Sequence, residues 1–158
     1  MKNYDLAIIG SGSGNSIPEE LSNLRIALIE ESTFGGTCLN KGCIPSKMFV
    51  LPADRVVEAE EAAALGVSQT TNNVDWHAIR DRVFGRIDPI AESGFDYRRS
   101  FDNIDVYESR ASFVANKQLE LSDGTQITAD RILIATGARP FIPPITVSYT
   151  HLTLPTKA

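Results

Sequence analysis

Residues Tyr4 to Glu30 constrain the fold of this chain more than any other stretch. YDLAII (Tyr4–Ile9) is an apolar run of strand length, GSGSGN (Gly10–Asn15) is a glycine-rich turn, and RIALIE (Arg25–Glu30) is a second apolar run. Two apolar strands joined by such a turn and a short crossover read as a βαβ unit, because parallel strands buried on both faces need a connection that returns over the sheet. That unit opens a doubly wound α/β sheet. Pro18 lies inside the crossover. Lacking an N–H and clashing with the preceding turn, it predicts a short or irregular helix there.

The turn carries chemistry as well as topology. Gly10, Gly12 and Gly14 let backbone N–H groups approach a pyrophosphate, and Glu30, twenty positions after Gly10, ends the second strand where a carboxylate can accept from ribose hydroxyls. The third position of the GxGxxG fingerprint is Asn15 rather than glycine or alanine, so the close helix-to-strand packing served by that glycine must be met otherwise. A plain glycine loop with a solvated glutamate is the competing reading; the flanking strands and Glu30 favour a dinucleotide. The motif does not separate FAD from NAD.

Both cysteines of the chain, Cys38 and Cys43, stand in FGGTCLNKGCIPSK. On a straight helix the α-carbons of i and i+5 lie roughly 8 to 9 Å apart, whereas a disulfide needs about 4.4 to 6.8 Å. The backbone between them must therefore leave helical geometry, and Gly42 supplies the freedom. A loop this short contributes only about 2 kcal/mol by chain entropy, which is a weak reason for a structural bridge. Redox exchange is the stronger reason: a thiolate near a helix N-terminus, with Lys41 and Lys47 close by, is expected to be stabilised and reactive. Zinc and two inert buried cysteines are the alternatives. His77 and His151 are the only histidines and neither stands at finger spacing, so no metal site is expected.

Ser46 to Ala64 and Trp76 towards Ala91 read as covering helices, the second capped by Asp75. Ile104 to Thr128 reads as a small antiparallel meander turning at Asp123-Gly124, and RILIAT (Arg131–Thr136) as a returning buried strand. The charge is −5, from 15 Lys and Arg against 20 Asp and Glu, without a basic stripe, which disfavours nucleic acid and anionic membranes as partners. The apolar runs fall short of a membrane span, and the N-terminus lacks a signal-peptide core, so the expected location is cytoplasmic.

GGTCLNKGCIPSK resembles the redox-disulfide signature of the class I flavoprotein disulfide reductases, the group that includes dihydrolipoamide dehydrogenase, glutathione reductase and mercuric reductase. YDLAIIGSGSGNSI, FGGTCLNKGCIPSKMFV, VFGRIDPIAESGFDYRR, NIDVY and ATGARPFIPP together resemble the branch that reduces mycothiol disulfide, Asn15 included. The resemblance implies a Rossmann-like FAD-binding domain with a parallel sheet, crossover helices and a small antiparallel meander. It implies FAD with its pyrophosphate on Gly10, Gly12, Gly14 and Asn15 and its ribose on Glu30. Gly36 and Thr37 would face the pyrophosphate or flavin, Lys47 the flavin N5 region, and Ala111, Ala135, Thr136 and Gly137 the adenine end. Cys43 would be the thiol facing the flavin and Cys38 the interchange thiol. Electrons would pass from NADPH through flavin and the Cys38–Cys43 disulfide to a low-molecular-weight disulfide, with a lipoamide-type disulfide as the alternative substrate.

Members of that group continue into an NADPH-binding domain and a dimer-interface domain, and this chain has a single fingerprint. The expectation is thus a truncated domain: residues 1–145 as the N-terminal part of an FAD-binding domain of a homodimeric parent, with the NADPH site absent. Thr146 to Ala158 (TVSYTHLTLPTKA) has no glycine or carboxylate and resembles translated sequencing-adapter sequence, so it is expected to be unrelated, artefactual or disordered. His151 is accordingly not a catalytic base, and the chain by itself is expected to be a non-catalytic FAD-binding fragment of a disulfide oxidoreductase.

Overall fold

The computed structural model describes residues 1–139, 141 and 143–145. The tail expected to be unrelated, 146–158 with His151, lies outside the described residues.

Strand β1 (Lys2–Ile9) pairs in parallel with β2 (Ile26–Glu30), as the paired apolar runs require. Between them the chain makes two single 3-10 turns, Ser13–Asn15 and Glu19–Leu21, with Pro18 at the entry to the second. The irregular crossover expected from Pro18 is what forms.

Two segments depart from the sequence reading. Ile104–Glu108 (β3) does not join the meander; it extends the parallel sheet beside β2, with Ile26 opposite Ile104 and Glu30 opposite Glu108. The long helix before it carries the chain back over the sheet, which is the connection that parallel pairing demands. The returning strand is also not separate. Gln126–Ile134 (β6) is one strand whose first residues pair antiparallel with β5 (Gln118–Leu121) while its length runs parallel to β1. Strand β4 (Ala111–Ala115) completes the order β3-β2-β1-β6-β5-β4. The hairpin turn at Asp123-Gly124 forms as expected, with the Asp123 carboxylate accepting from the Thr125 N–H at 2.9 Å.

Helix α3 (Trp76–Arg99) packs on the sheet beside β3, while α1 (Gly36–Asn40) and α2 (Cys43–Glu61) pack on each other and on α3; α2, expected to cover the sheet, buries only Pro45 and lies mainly against the other helices. The Asp75 carboxylate accepts from the Ala78 N–H at 2.9 Å, so α3 begins where expected, but it runs past Ala91 to Arg99. Val83, Ile87 and Ala91, four residues apart, form its buried stripe.

The core divides between the faces of the sheet. On one face Ile8, Ile26, Leu28 and Ile104 pack with Phe34, Phe95 and Phe101; on the other Tyr4, Ala7, Ala27 and Ile29 pack against Leu119, Leu121, Ile127 and Ala129 of the folded-over meander. Each large aliphatic side chain removed from water contributes roughly 1.5–3 kcal/mol, which fixes the two loops at the carboxyl ends of β1 and β2. At the opposite ends, the Tyr4 hydroxyl donates to Asp105 and shares a hydrogen bond with Tyr107, with Arg25 3.5 Å from the same carboxylate. Burial first, then these hydrogen bonds, push the Tyr4 hydroxyl pKa well above its ordinary value.

Candidate functional site

Strand β1 ends at Ile9, and the glycine loop that follows is held on three sides. The Gly10 N–H donates to the Ile29 carbonyl at 2.8 Å, and the Ala135 N–H to the Ile9 carbonyl at 2.8 Å, so the loop sits between the ends of β2 and β6. A Cβ on Gly10 would come within 2.3 Å of the Ala135 carbonyl oxygen. Ala135 and Thr136 are therefore brought to the loop, in the irregular segment after β6 that continues through Gly137 rather than in a strand.

Asn15 does not do the packing that the third fingerprint glycine would do. Gly14 does it: a Cβ there would lie 2.6 Å from the Ala135 Cβ and 3.1 Å from Ile8 Cγ2. Asn15 instead accepts from Arg98 of α3, through Oδ1 from Nε at 2.7 Å and through its backbone carbonyl from Nη2 at 2.5 Å. The sequence reading missed Arg98; its only sequence signal was its place at the end of the VFGRIDPIAESGFDYRR block.

The chemistry of the loop is that of an anion cradle. Among the described residues, no protein acceptor is present for the amides of Gly12, Ser13 and Gly14, while the next two, Asn15 and Ser16, close the 3-10 turn onto Gly12 and Ser13. Three neighbouring free N–H groups at the carboxyl ends of parallel strands suit a phosphate group.

Glu30 is also at this end, and its carboxylate is already fully engaged. Oε2 accepts from the Ser11 N–H at 2.9 Å and the Ser11 hydroxyl at 2.7 Å; Oε1 accepts from the Ser32 N–H at 2.9 Å and the Ser32 hydroxyl at 3.0 Å. Those four bonds fill the roughly four lone-pair positions of a carboxylate. Burial pushes the Glu30 pKa up, but the hydrogen bonds from Ser11 and Ser32 outweigh it and leave it below the ordinary value. Ser11, a buried residue that the sequence reading passed over as a variable fingerprint position, also accepts from the Gly35 N–H at 2.9 Å.

Through Ser11 and Gly35 the dinucleotide loop reaches the cysteine segment, and the two backbones touch. Gly36 has φ +66°, and a Cβ on it would lie 2.5 Å from the Gly12 Cα, so only glycine permits this approach. Asn40 pins the same turn by donating through Nδ2 to the Phe34 and Gly36 carbonyls at 2.9 and 3.1 Å. Thr37 and Cys38 follow on α1, the helix stops at Lys41, and Cys43 starts α2 as its first residue. The break between the cysteines falls at Gly42, where a Cβ would lie 3.0 Å from the Thr37 carbonyl.

Cys38 and Cys43 are both free and exposed. The Cys38 thiol pKa is raised, first by its hydrogen bonding with the Cys43 side chain and then by desolvation. Neither Lys41 nor Lys47 contributes to that shift, whose direction favours the thiol form of Cys38. Lys47 is exposed one turn beyond Cys43 on α2. Ala111 begins β4 two residues after Ser109, whose N–H donates to the Glu30 carbonyl at 2.8 Å, which keeps Ala111 on the Glu30 side. Among the described residues no group of three or more His, Cys, Asp or Glu side chains could hold a metal ion, and no helix is long and apolar enough to cross a membrane.

Residues 4–154 match the pyridine nucleotide-disulphide oxidoreductase family model. The chain is 49% identical over 150 residues to mycothione reductase from Mycobacterium tuberculosis, an alignment covering 91% of this chain and 33% of that protein. It is 34% identical over 142 residues to dihydrolipoyl dehydrogenase from Chlamydia pneumoniae, covering 87% of this chain and 31% of that one. The HOCl-induced flavoprotein disulfide reductase RclA from Escherichia coli has a similar structure, with a TM-score of 0.74, 31% identity, and 90% and 30% of the two chains covered. The chain spans about a third of the length of the curated relatives it matches.

Proposed function

The chain belongs to the pyridine nucleotide-disulphide oxidoreductase family, and on that premise we propose that it forms the FAD-binding and redox-dithiol part of a reductase of low-molecular-weight disulfides, with mycothiol disulfide as substrate and NADPH as electron donor. The observation that carries this reading is the contact of Gly12 with Gly36. It joins the dinucleotide loop to the cysteine helix within one rigid corner, so a cofactor lying on the first is beside the second. The 49% identity to mycothione reductase supports the choice of substrate over a lipoamide-type disulfide.

The residues present fit FAD. The free amides of Gly12, Ser13 and Gly14 would take the pyrophosphate, and Glu30 would take the adenosine ribose after yielding one of its serine bonds. Ala111, Ala135, Thr136 and Gly137 would line the adenine end, and Gly36, Thr37 and Lys47 the flavin side. When bound, FAD supplies the relay of two electrons from a reduced nicotinamide to the protein disulfide.

The chain's own chemistry is thiol–disulfide exchange. Cys38, once its proton is removed, attacks one sulfur of the substrate disulfide; a mixed disulfide forms and the first thiol leaves. Cys43 then attacks the Cys38 sulfur, releasing the second thiol and leaving the Cys38–Cys43 disulfide. Two electrons pass from the dithiol to the substrate. Because the thiolate and not the thiol is the nucleophile, a base must accept the Cys38 proton for the attack to proceed. The helix break at Gly42 lets the pair close without unwinding α2.

The test is direct titration of the 158-residue chain with FAD. Quenched flavin fluorescence with saturable uptake, weakened in Glu30→Ala by about 1–3 kcal/mol through loss of a charged acceptor, is the expected result. No uptake at micromolar protein would count against the reading.

A further inference from the structure

The glycine loop is tied to α3 at one point, and that point is the position where the dinucleotide fingerprint is irregular. Arg98 holds Asn15 through both the side-chain oxygen and the backbone carbonyl. The guanidinium is itself fixed, half-buried and stacked against the Tyr97 and Phe101 rings with centroids at 5.4 and 5.8 Å. Among the described residues no carboxylate lies within ion-pair distance of it. A cation without a carboxylate partner thus sits on Asn15, the residue that follows the three free amides of Gly12, Ser13 and Gly14.

These facts have a common consequence. The crossover after the loop is a pair of 3-10 turns and not an α-helix, so the loop lacks the long helix that ordinarily anchors it and whose dipole favours an anion. Arg98 supplies both missing elements. Its two bonds fix Asn15 in place, and its charge makes the loop positive where the helix dipole would have done so. Glycine at position 15 would give Arg98 only the carbonyl, which accounts for asparagine there.

We propose that Arg98 is a positioning residue for the dinucleotide loop: through its two-point hold on Asn15 it keeps the loop in the conformation that accepts a pyrophosphate, and its unpaired charge strengthens that acceptance. The second half of this statement rests on the FAD reading above; the first does not. The loop is preorganised from α3, by a side chain 83 positions away in sequence.

Hydrogen exchange on the 158-residue chain tests the hold without any flavin. The amides of Asn15, Ser16 and Ile17 donate to Gly12, Ser13 and Asn15 and so report the loop. Arg98→Gln should speed their exchange by about tenfold, the effect of losing one charged hydrogen-bond pair. Asn15→Gly should speed Ser16 and Ile17 from the other side of the same contact. The wild-type chain should also show a protected Arg98 Nε–H signal at neutral pH, a readout that needs no variant. Unchanged exchange in folded Arg98→Gln, or an unprotected wild-type Nε–H, overturns the hold. FAD titration tests the charge: Kd should rise about tenfold in Arg98→Gln and recover partly in Arg98→Lys, which restores charge without the fork. Equal Kd values in wild type and Arg98→Gln overturn that part. A wild-type chain that takes up no FAD refutes the flavin reading and with it the charge role, while the exchange data still decide the hold.

Discussion

The Ser11 hydroxyl donates to Glu30 Oε2 at 2.7 Å and accepts from the Gly35 N–H at 2.9 Å, so one buried side chain ties the end of β2 to the turn that leads into the cysteines. Ser32 meets the other oxygen of the same carboxylate, but from an exposed position and with no further partner of its own among the described residues. The two serines are equal in hydrogen bonding to Glu30 and unequal in everything else.

That inequality gives opposite effects on substitution. Ser11→Ala leaves the Gly35 N–H unpaired and part-buried and is expected to cost about 1–3 kcal/mol of stability and to weaken FAD binding. Ser32→Ala only frees a lone pair on Glu30 for a ribose hydroxyl, so stability stays within about 0.5 kcal/mol and FAD binding is unchanged or tighter. Urea unfolding and flavin titration of both variants check this; a larger loss of stability or of FAD affinity in Ser32→Ala than in Ser11→Ala contradicts it.

Glu30 also sets an acid response. Its folded pKa lies below the ordinary 4.5, so its hydrogen bonds contribute stability that is complete above pH 4.5 and is lost as pH falls through the lower folded value. Glu30→Gln should flatten the acid limb of stability against pH in that window and leave its shape above pH 6 unaltered. Urea midpoints between about pH 3 and 7 give the comparison; an identical acid slope in the variant removes Glu30 from the account.

Tyr4 predicts the alkaline side. Its folded pKa is raised above the ordinary 10.0 by burial and by its bonds to Asp105 and Tyr107, so this contribution is complete below pH 10 and lost as pH climbs above it. Tyr4→Phe should be less stable at pH 7 by about 1 kcal/mol and should lose less stability between pH 9 and 11 than the wild type. Parallel alkaline unfolding curves for the two proteins are the contrary result.

Much of this site was readable in the sequence because it rests on local patterns. The apolar runs flanking Gly10–Asn15 specify the parallel strands, Pro18 specifies the irregular crossover, and glycines beside Cys38 and Cys43 specify the broken helix. What stayed hidden is long-range. Arg98 is 83 residues from Asn15, and Ser11 looked like a free fingerprint position because its partner Gly35 is 24 residues on. Strand β3 was misread as part of the meander because IDVYE alternates like an exposed-edge strand; only the return of α3 over the sheet sets it parallel to β2. Strand β6 changes partners midway, and nothing within its own nine residues marks where antiparallel pairing gives way to parallel.

The chain carries one glycine fingerprint, and in the proposed function FAD occupies it. Residues 1–158 supplied with FAD, NADPH and mycothiol disulfide should therefore consume NADPH no faster than free flavin does. Disulfide-dependent consumption that disappears in Cys38→Ser would mean that a nicotinamide site exists among these residues.

The central claim is that Cys43, at the first position of α2, faces the flavin while Cys38, one short helix earlier, faces the substrate. Anaerobic addition of two electron equivalents of dithionite to the FAD-loaded chain measures it most directly. A long-wavelength thiolate-to-flavin absorbance should arise in the wild type on that addition, should already be present before any reductant in Cys38→Ser, whose Cys43 is free and whose flavin is oxidised, and should be missing in Cys43→Ser under both conditions. Its retention in Cys43→Ser with loss in Cys38→Ser would reverse the two roles, and its absence from all three proteins with FAD bound would contradict the claim that the dithiol and the cofactor share this corner of the fold.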